Sequence, residues 1–255
     1  MERESLIKIE EAALNAWPAP RQMVYDGWLL RFTGGPSKRV NSVNILYSST
    51  KPLAEKISTC ESIYASQGQP CLFRVTKLFS TPELLGALAD AGYQAFDTTL
   101  VLGRELELSH VNQPDVTVLD LPETDWFRFR EQFIQASPVD REIHQSILSG
   151  IVPERVLIGL YAGGKPAACG MGVVEDGLLG FFSIHTAASW RRKGYGSLMM
   201  NALMDWGIAR GATYGYLQVE GDNRAALAMY RKLGYEVCYR YVYYGKGWGD
   251  QELGG

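Results

Sequence analysis

Apolar residues recur with two different periods in the first part of the chain. Segments in which they return every three to four residues favour amphipathic helices, and short apolar runs bounded by Gly, Pro or Ser favour strands. The clearest strand is Trp28–Phe32, which the turn Gly34-Gly35-Pro36-Ser37 follows. In chain order, the pattern predicts a helix over 4–16, strands over 28–32 and 39–47, a helix over 51–66, a strand over 70–76, a helix over 82–91 and a strand over 96–102.

The second part of the chain is separated from the first by residues 104–114, which are charged and polar and end in Asn-Gln-Pro, with Asp115 directly after. This segment is predicted to be a linker. A length of 255 residues suits two domains, which we place at 1–108 and 115–255. The second part predicts a strand over 116–119, helices over 122–136 and 140–149, strands over 155–162, 165–175 and 178–184, a helix over 197–210, a strand over 214–219, a helix over 223–233 and a strand over 238–244.

The basic, glycine-bearing segment 191–196 (Arg-Arg-Lys-Gly-Tyr-Gly) joins a predicted strand to a predicted helix. The first turn of a helix has unpaired N–H groups and a partial positive charge. Gly194 and Gly196 remove side chains that would keep a pyrophosphate away from these amides, and the basic residues add charge. The segment lacks the third glycine of a dinucleotide fingerprint and the Gly-Lys-Ser/Thr of a P-loop. It therefore predicts a phosphate site of another type.

A second motif lies after the strand over 214–219, and with it the chain resembles the GNAT superfamily of acyl-CoA-dependent N-acetyltransferases. That family has an Arg/Gln-x-x-Gly-x-Gly/Ala loop and an Asn-x-x-Ala-x-x-x-Tyr-x-x-x-Gly-Phe/Tyr helix. The resemblance covers roughly residues 115–245. The matching residues are Arg191, Gly194 and Gly196 in the loop, and Asn223, Ala226, Tyr230, Gly234 and Tyr235 in the helix.

The resemblance implies an α/β fold with a mixed, mostly antiparallel central sheet flanked by helices. It also implies transfer of an acetyl group from acetyl-CoA, the co-substrate, to a primary amine of a small molecule or peptide. The amine would attack directly in a ternary complex, with Tyr230 as proton donor to the CoA thiolate. By resemblance, the residues that bind acetyl-CoA are Ile184, His185, Thr186, Arg191, Arg192, Lys193, Gly194, Tyr195, Gly196, Ser197, Asn223 and Tyr230.

The general base is the least defined part of this prediction. Some relatives have a glutamate in a Leu-Glu-Val pattern, where this chain has Gln218. Glu220 reaches the same face as Gln218 only if the strand stays regular, and it is our candidate. Glu175, Asp176 and a water chain remain alternatives. His185 invites a catalytic role, although an oriented, non-catalytic imidazole fits its strand position better, and Asn223 fits an N-cap as well as a ligand.

The two parts of the chain resemble distant copies of one another. When Gly92-Tyr93 is placed over Gly234-Tyr235, the helix over 82–91 falls on the helix over 223–233. The first part lacks the residues that carry chemistry in the second, because Lys51-Pro52-Leu53 stands where the glycine loop would end and Leu88 stands at the position of Tyr230. We therefore expect a complete C-terminal half, a degenerate N-terminal half and one acyl-CoA site per chain.

Composition and charge limit the possible partners, location and metal content of the protein. A net charge of −3 gives no general attraction to nucleic acid, and no apolar run reaches transmembrane length. Four dispersed cysteines favour a reducing, cytoplasmic location, and three histidines without metal spacing predict no metal site. The amine acceptor and the oligomeric state stay open. The alternative function is a non-catalytic module that binds acyl-CoA as a sensor.

Overall fold

The computed structural model describes residues 1–108 and 116–247. Over these residues the chain forms one eleven-stranded sheet with helices on both faces, which confirms the predicted fold class. Most strand pairs are antiparallel, and the pairs β3–β4 and β9–β10 are parallel. In the N-terminal half the elements are α1 (Arg3–Asn15), β1 (Arg21–Tyr25), β2 (Trp28–Phe32), β3 (Val43–Ile45), α2 (Leu53–Ser66), β4 (Phe73–Thr76), α3 (Pro82–Asp90) and β5 (Gln94–Glu105).

The C-terminal half follows the predicted order, with boundaries that move by a few residues. None of its described helices, nor those of the first half, is long and apolar enough to cross a membrane. Its elements are β6 (Val116–Asp120), α4 (Glu123–Arg130), α5 (Pro138–Ser149), β7 (Glu154–Ala162), β8 (Lys165–Glu175), β9 (Leu178–Thr186), α6 (Tyr195–Ile208), β10 (Tyr214–Glu220), α7 (Arg224–Lys232) and β11 (Glu236–Gly245).

The two halves exchange their final strands. The sheet order is β1-β2-β3-β4-β11-β5-β10-β9-β8-β7-β6, so β5 lies between β10 and β11 of the other half. In return, β11 lies between β5 and β4. Both β10–β5 and β11–β5 are antiparallel, with Glu220 opposite Thr99 and Tyr241 also opposite Thr99. Neither half completes its sheet alone, and the exchange brings N-terminal residues beside the end of β10.

Three predicted segments of the N-terminal half differ from the structure. Strand β1 was not predicted, because Arg21 to Val24 is exposed on the edge of the sheet and shows no alternation. The strand predicted over 39–47 is wrong over its first part, where a 3₁₀ turn (Lys38–Val40) precedes the short strand β3. The predicted linker is wrong at its start, since β5 continues to Glu105, and residues 109–114 of it lie outside the described residues.

Apolar residues on the two faces of the sheet form separate cores. On one face, Phe182, Tyr216 and Tyr241 pack with residues from α1, α4 and α5. On the other face, Phe181 and Leu217 pack with residues of α6 and α7. A third core lies under α2 and α3. Because side chains alternate along a strand, a strand that crosses the site presents neighbouring residues to opposite faces.

Candidate active site

A gap opens in the sheet between the parallel strands β9 and β10. Their pairing ends at Phe181 and Leu217, although β9 continues to Thr186 and β10 to Glu220. In the same stretch, the pairing of β9 with β8 shifts register, and Ser183 has a φ of 51°. This bulge turns the strand and leaves backbone groups near Ile184 without a partner from β10.

A cleft of about 480 Å³ lies at this gap, a size that suits a small ligand or part of a larger one. Of the residues predicted to bind or react, five line the cleft, namely Ile184, His185, Glu220, Asn223 and Tyr230. The cleft therefore brings together the two predicted catalytic residues, Tyr230 and Glu220. Thr186 and the loop residues 191–197 continue from the end of β9 beside the cleft.

The loop before α6 has the backbone shape of an anion cradle. Arg192 and Gly194 have φ of 59° and 88°, and α6 begins directly afterwards at Tyr195. No side chain caps this helix and its first turn has no acidic residue, so its amides remain available to an anion. Arg191, Arg192 and Lys193 are all exposed, with the Arg191 Nε donating to the Thr186 carbonyl oxygen at 3.3 Å.

Glycine is needed at the two loop positions, 194 and 196, for different structural reasons. A Cβ at Gly194 would meet open space, and this position needs glycine because of its positive φ. A Cβ at Gly196 would lie 2.8 Å from the Met229 Sδ, so this glycine lets α6 approach α7. A bulky residue at position 196 would therefore disturb helix packing as well as a ligand, and the exposed basic residues offer a cleaner test of the loop.

Tyr230 reaches the cleft from α7, on the face of the sheet that α6 also covers. It is buried at 7% exposure, and burial raises its pKa to about 12. The phenol is therefore protonated throughout the neutral range. Asn223 caps α7, because its Oδ1 accepts a hydrogen bond from the Ala226 amide at 3.1 Å. The N-cap role expected for Asn223 is confirmed, and its side chain also lines the cleft.

Glu220 lies on the opposite face of the sheet from α7. Strand β10 stays in register with β5 from Tyr214 to Glu220, so Gln218 and Glu220 share the face of Tyr216. Gln218 is held by Tyr241, whose hydroxyl donates to the Gln218 Oε1 at 2.8 Å. The condition on which the Glu220 assignment depended, a regular strand, is met.

The other acidic candidates lie elsewhere. Glu175 accepts a hydrogen bond from the Asn15 Nδ2 at 2.8 Å, and Asp176 lies 3.9 Å from the Lys8 Nζ with 78% of its side chain exposed. Both residues are at the β8–β9 turn, the far end of β9 from the cleft. The structure gives neither carboxylate access to the gap.

The match to a family model decides the identity of this fold. Over residues 5–244 the chain matches the model described as "Probable histone acetyltransferase Rv0428c C-terminal". The chain belongs to this family. It is an acyl-CoA-dependent N-acetyltransferase of the GNAT superfamily, and enzymes of that superfamily use acetyl-CoA as co-substrate.

Relatives and solved structures agree with this assignment. The chain is 29% identical to the "Uncharacterized N-acetyltransferase YobR" of Bacillus subtilis (strain 168) over 246 residues, 94% of this chain and 98% of the relative. A GCN5-related N-acetyltransferase from Kribbella flavida has the same fold, with a TM-score of 0.68 at 18% identity, over 95% of this chain and 96% of that one. A tandem GNAT protein from the clavulanic acid pathway gives 0.64 at 12% identity, over 85% and 76%.

His185 of this acetyltransferase lines the cleft as a neutral imidazole. Burial lowers its pKa to about 4, and the positive charges of Arg130 and Arg191 act in the same direction. An imidazole with this pKa is uncharged at pH 7, so it is a poor general acid, and it is also a weak base. The oriented, non-catalytic role agrees better with this environment than a proton-transfer role.

The opposite wall of the cleft comes largely from residues that sequence reasoning missed. The 3₁₀ turn and the start of β5 are N-terminal, and β11 is the exchanged strand. None of these positions was assigned a role at the site from the sequence, and only the strand exchange brings them to the gap. The residues concerned are Trp17, Lys38, Arg39, Asp97, Tyr241 and Tyr243. None of the described lining residues comes from helices α4 and α5.

In the N-terminal half, the carboxylate of Asp26 occupies the position that corresponds to the phosphate site before α6. The Asp26 carboxylate accepts hydrogen bonds from the amides of Thr50 and Lys51, at 3.0 Å each, and from the Thr50 hydroxyl at 2.6 Å. These groups lie just before α2, the counterpart of α6. The Lys56 Nζ lies 3.3 Å from the same carboxylate. A side-chain anion thus takes the place that a phosphate would need.

Replacement Asp26→Asn should destabilise the protein more at neutral pH than in acid. The Thr50 and Lys51 hydrogen bonds hold the pKa of Asp26 well below its usual range. A lowered folded-state pKa contributes stability above the unfolded value of about 3.9, and that contribution is lost as the pH falls further. Urea unfolding should show a smaller deficit at pH 3 than at pH 7, because pH 3 lies below the unfolded pKa of Asp26 but above its lowered folded pKa. Equal deficits at both pH values would contradict this, and the exposed Asp176→Asn is the control.

Proposed function

We propose that the protein transfers an acetyl group from acetyl-CoA to a primary amine of a small molecule or peptide, by direct attack in a ternary complex. The observation that carries this proposal is the cleft at the β9–β10 gap, which Tyr230 lines from one face of the sheet and Glu220 from the other. Acyl donor and amine can thus approach the same point from opposite sides.

The donor side is assigned to the loop before α6 and the end of β9. The uncapped amides of α6 and the basic side chains 191–193 would bind the pyrophosphate. Unpaired backbone groups near Ile184, together with Asn223, would hold the pantetheine arm and polarise the thioester carbonyl. Asp26 fills the corresponding position of the N-terminal half, which supports one acetyl-CoA site per chain.

The chemistry then needs two proton movements. The neutral amine forms a C–N bond with the thioester carbon, and the C–S bond breaks. Nitrogen loses one proton, which Glu220 accepts, and sulfur gains one, which Tyr230 donates. A thiol has a pKa of about 8.5, whereas the Tyr230 phenol has a pKa of about 12, so proton transfer from the phenol to the thiolate is unfavourable by itself. It therefore has to be coupled to the return of a proton to the phenolate. The proton released by the amine restores the phenol, and the net transfer runs from nitrogen to sulfur.

Replacement Glu220→Gln should slow transfer more for basic amines than for weakly basic ones. An alkylamine of the lysine type has a pKa of about 10.4, whereas a peptide α-amino group has about 7.7–8.0 and needs less help from a base. We expect kcat/KM to fall about 100-fold for the alkylamine and roughly 10-fold for the peptide amine. Thiol release from acetyl-CoA at pH 7 measures both rates.

Asp222→Asn is the matched control for this substitution. Asp222 is exposed on the turn two residues after Glu220 and does not line the cleft. Its replacement should leave both rates close to wild type. If Glu220→Gln behaves like Asp222→Asn with both amines, Glu220 is not the base. If the wild type releases no thiol with any amine, the proposed function fails.

A further inference from the structure

Arg39 occupies a rigid position on the N-terminal wall of the cleft. It lies in the 3₁₀ turn Lys38–Val40, which the fully buried Val40 anchors. The side chain of Asn41 ties the preceding loop together, because it accepts from the Thr33 amide at 2.7 Å and donates to the Gly35 carbonyl at 2.6 Å. The guanidinium of Arg39 also lies 5.8 Å from the Trp17 ring. Such a preorganised cation costs little entropy when it binds a ligand.

Arg39 has no carboxylate partner among the described residues, unlike its neighbour. The Lys38 Nζ is paired with Asp97 at 2.5 Å, so that charge is neutralised within the cleft. For Arg39, by contrast, no ion pair is formed in the described chain, and its Nε is buried without an acceptor. A planar guanidinium with free donors is suited to a carboxylate, which accepts two parallel N–H bonds.

The protein around Arg39 adds positive charge. Arg31 and Arg74 are buried nearby, and both interact electrostatically with the carboxylate of Glu10. Glu10 is already engaged by Arg74, with an Nη2–Oε2 distance of 3.1 Å, and by the Tyr239 hydroxyl at 2.7 Å. Arg31 donates instead to the Leu14 carbonyl at 2.7 Å. Glu10 is therefore engaged by other groups and does not pair with Arg39.

The anion that Arg39 would bind is not a phosphate of CoA. The phosphate loop begins α6, which covers the face of Phe181 and Leu217. Trp17, which Arg39 contacts, stacks on Phe182 at 5.8 Å, and Phe182 belongs to the opposite face. Arg39 therefore lies on the same side of the sheet as Glu220, where the amine would enter.

We propose that the acceptor amine also carries a carboxylate, as an amino acid does, and that Arg39 binds this carboxylate. The inference rests on the proposed function and names its substrate class. A carboxylate fits better than a phosphate monoester, because Glu220 lines the same cleft and would repel a dianion more strongly than a monoanion. Because Lys38 is paired with Asp97, the guanidinium of Arg39 is left to bind the single carboxylate of the acceptor. The aromatic rings of Trp17 and Tyr243 offer apolar surface to the rest of the acceptor.

The test compares amino acids with their amides as acceptors, which needs no variant. The amine of an amide resembles a peptide α-amino group, with a pKa of about 7.7–8.0, so its larger neutral fraction at pH 7 favours the amide chemically. A preference for the acid must therefore come from binding. We expect kcat/KM for a panel of L-amino acids to exceed that for the matching amides by about 10- to 100-fold, the value of a charge-assisted hydrogen-bonded pair. Equal or better use of the amides overturns the inference.

Variants locate the effect at Arg39. Arg39→Gln should abolish the preference for the acid by raising KM for amino acids, with the amide rate and acetyl-CoA affinity unchanged, and Arg39→Lys should restore part of it. The double replacement Lys38→Gln/Asp97→Asn is the matched control, because it removes both charges of one ion pair together, and it should leave the acid-to-amide ratio unchanged. Equal losses for acids and amides in Arg39→Gln would overturn the inference. Acetyl-CoA binding without thiol release for any acceptor would instead overturn the proposed function, and the inference with it.

Discussion

Replacement Tyr230→Phe should lower kcat about 100-fold, the low end of the range for loss of a general acid. The phenol lines the cleft from α7, and its pKa of about 12 keeps it protonated at every pH at which the enzyme would be assayed. Its proton is needed only as the C–S bond breaks, so the affinity for acetyl-CoA should not change. Thiol-release kinetics and calorimetric titration measure the two quantities separately.

The matched control is Tyr235→Phe, which removes another buried phenol from the same neighbourhood. The Tyr235 ring lies 6.0 Å from the Tyr230 ring, and its hydroxyl is buried without a partner. Tyr235 does not line the cleft, and removing an unpaired hydroxyl should be neutral or slightly stabilising. If Tyr230→Phe and Tyr235→Phe have equal kcat values, Tyr230 is not the proton donor.

The double replacement Arg192→Glu/Lys193→Glu should weaken acetyl-CoA binding about 100-fold, since each lost charge-assisted contact contributes roughly 1.5–3 kcal/mol. Both side chains are exposed on the loop before α6, so the fold should survive their replacement. The introduced acids would also oppose the uncapped, positive end of the helix. Titration of acetyl-CoA into the variant gives the dissociation constant.

A control with the same change in net charge separates local binding from a general electrostatic effect. Lys77 and Arg240 are exposed and line a surface groove with Arg3 and Leu6, away from the cleft. Lys77→Glu/Arg240→Glu should leave the dissociation constant within about twofold of wild type at physiological salt, where exposed charges are screened beyond ~8 Å. Similar losses in both double variants would contradict a specific phosphate site in the loop.

The parts of this fold that depend on local signals could be predicted from the sequence. The buried run Trp28–Phe32 and the glycine turn before α6 are defined by nearby residues, and both were predicted close to their positions in the structure. The face of Glu220 also followed from strand alternation. These features need no knowledge of which strands are neighbours.

The N-terminal wall of the cleft could not be predicted for the opposite reason. Arg39 and Asp97 reach the site because β5 and β11 are exchanged between the halves, and a strand pattern does not reveal its partners. The contact of Asp26 with the segment before α2 was equally hidden, since Asp26 and Thr50 are 24 residues apart in the sequence. Long-range pairing, rather than secondary structure, sets the limit.

Calorimetric titration of the wild-type protein with acetyl-CoA tests the central claim most directly. The account predicts binding at one site per chain, because the loop before α6 is open and Asp26 fills its counterpart. Binding at two sites per chain would show that the N-terminal half retains a donor site. No binding would contradict the assignment of the C-terminal loop to acetyl-CoA.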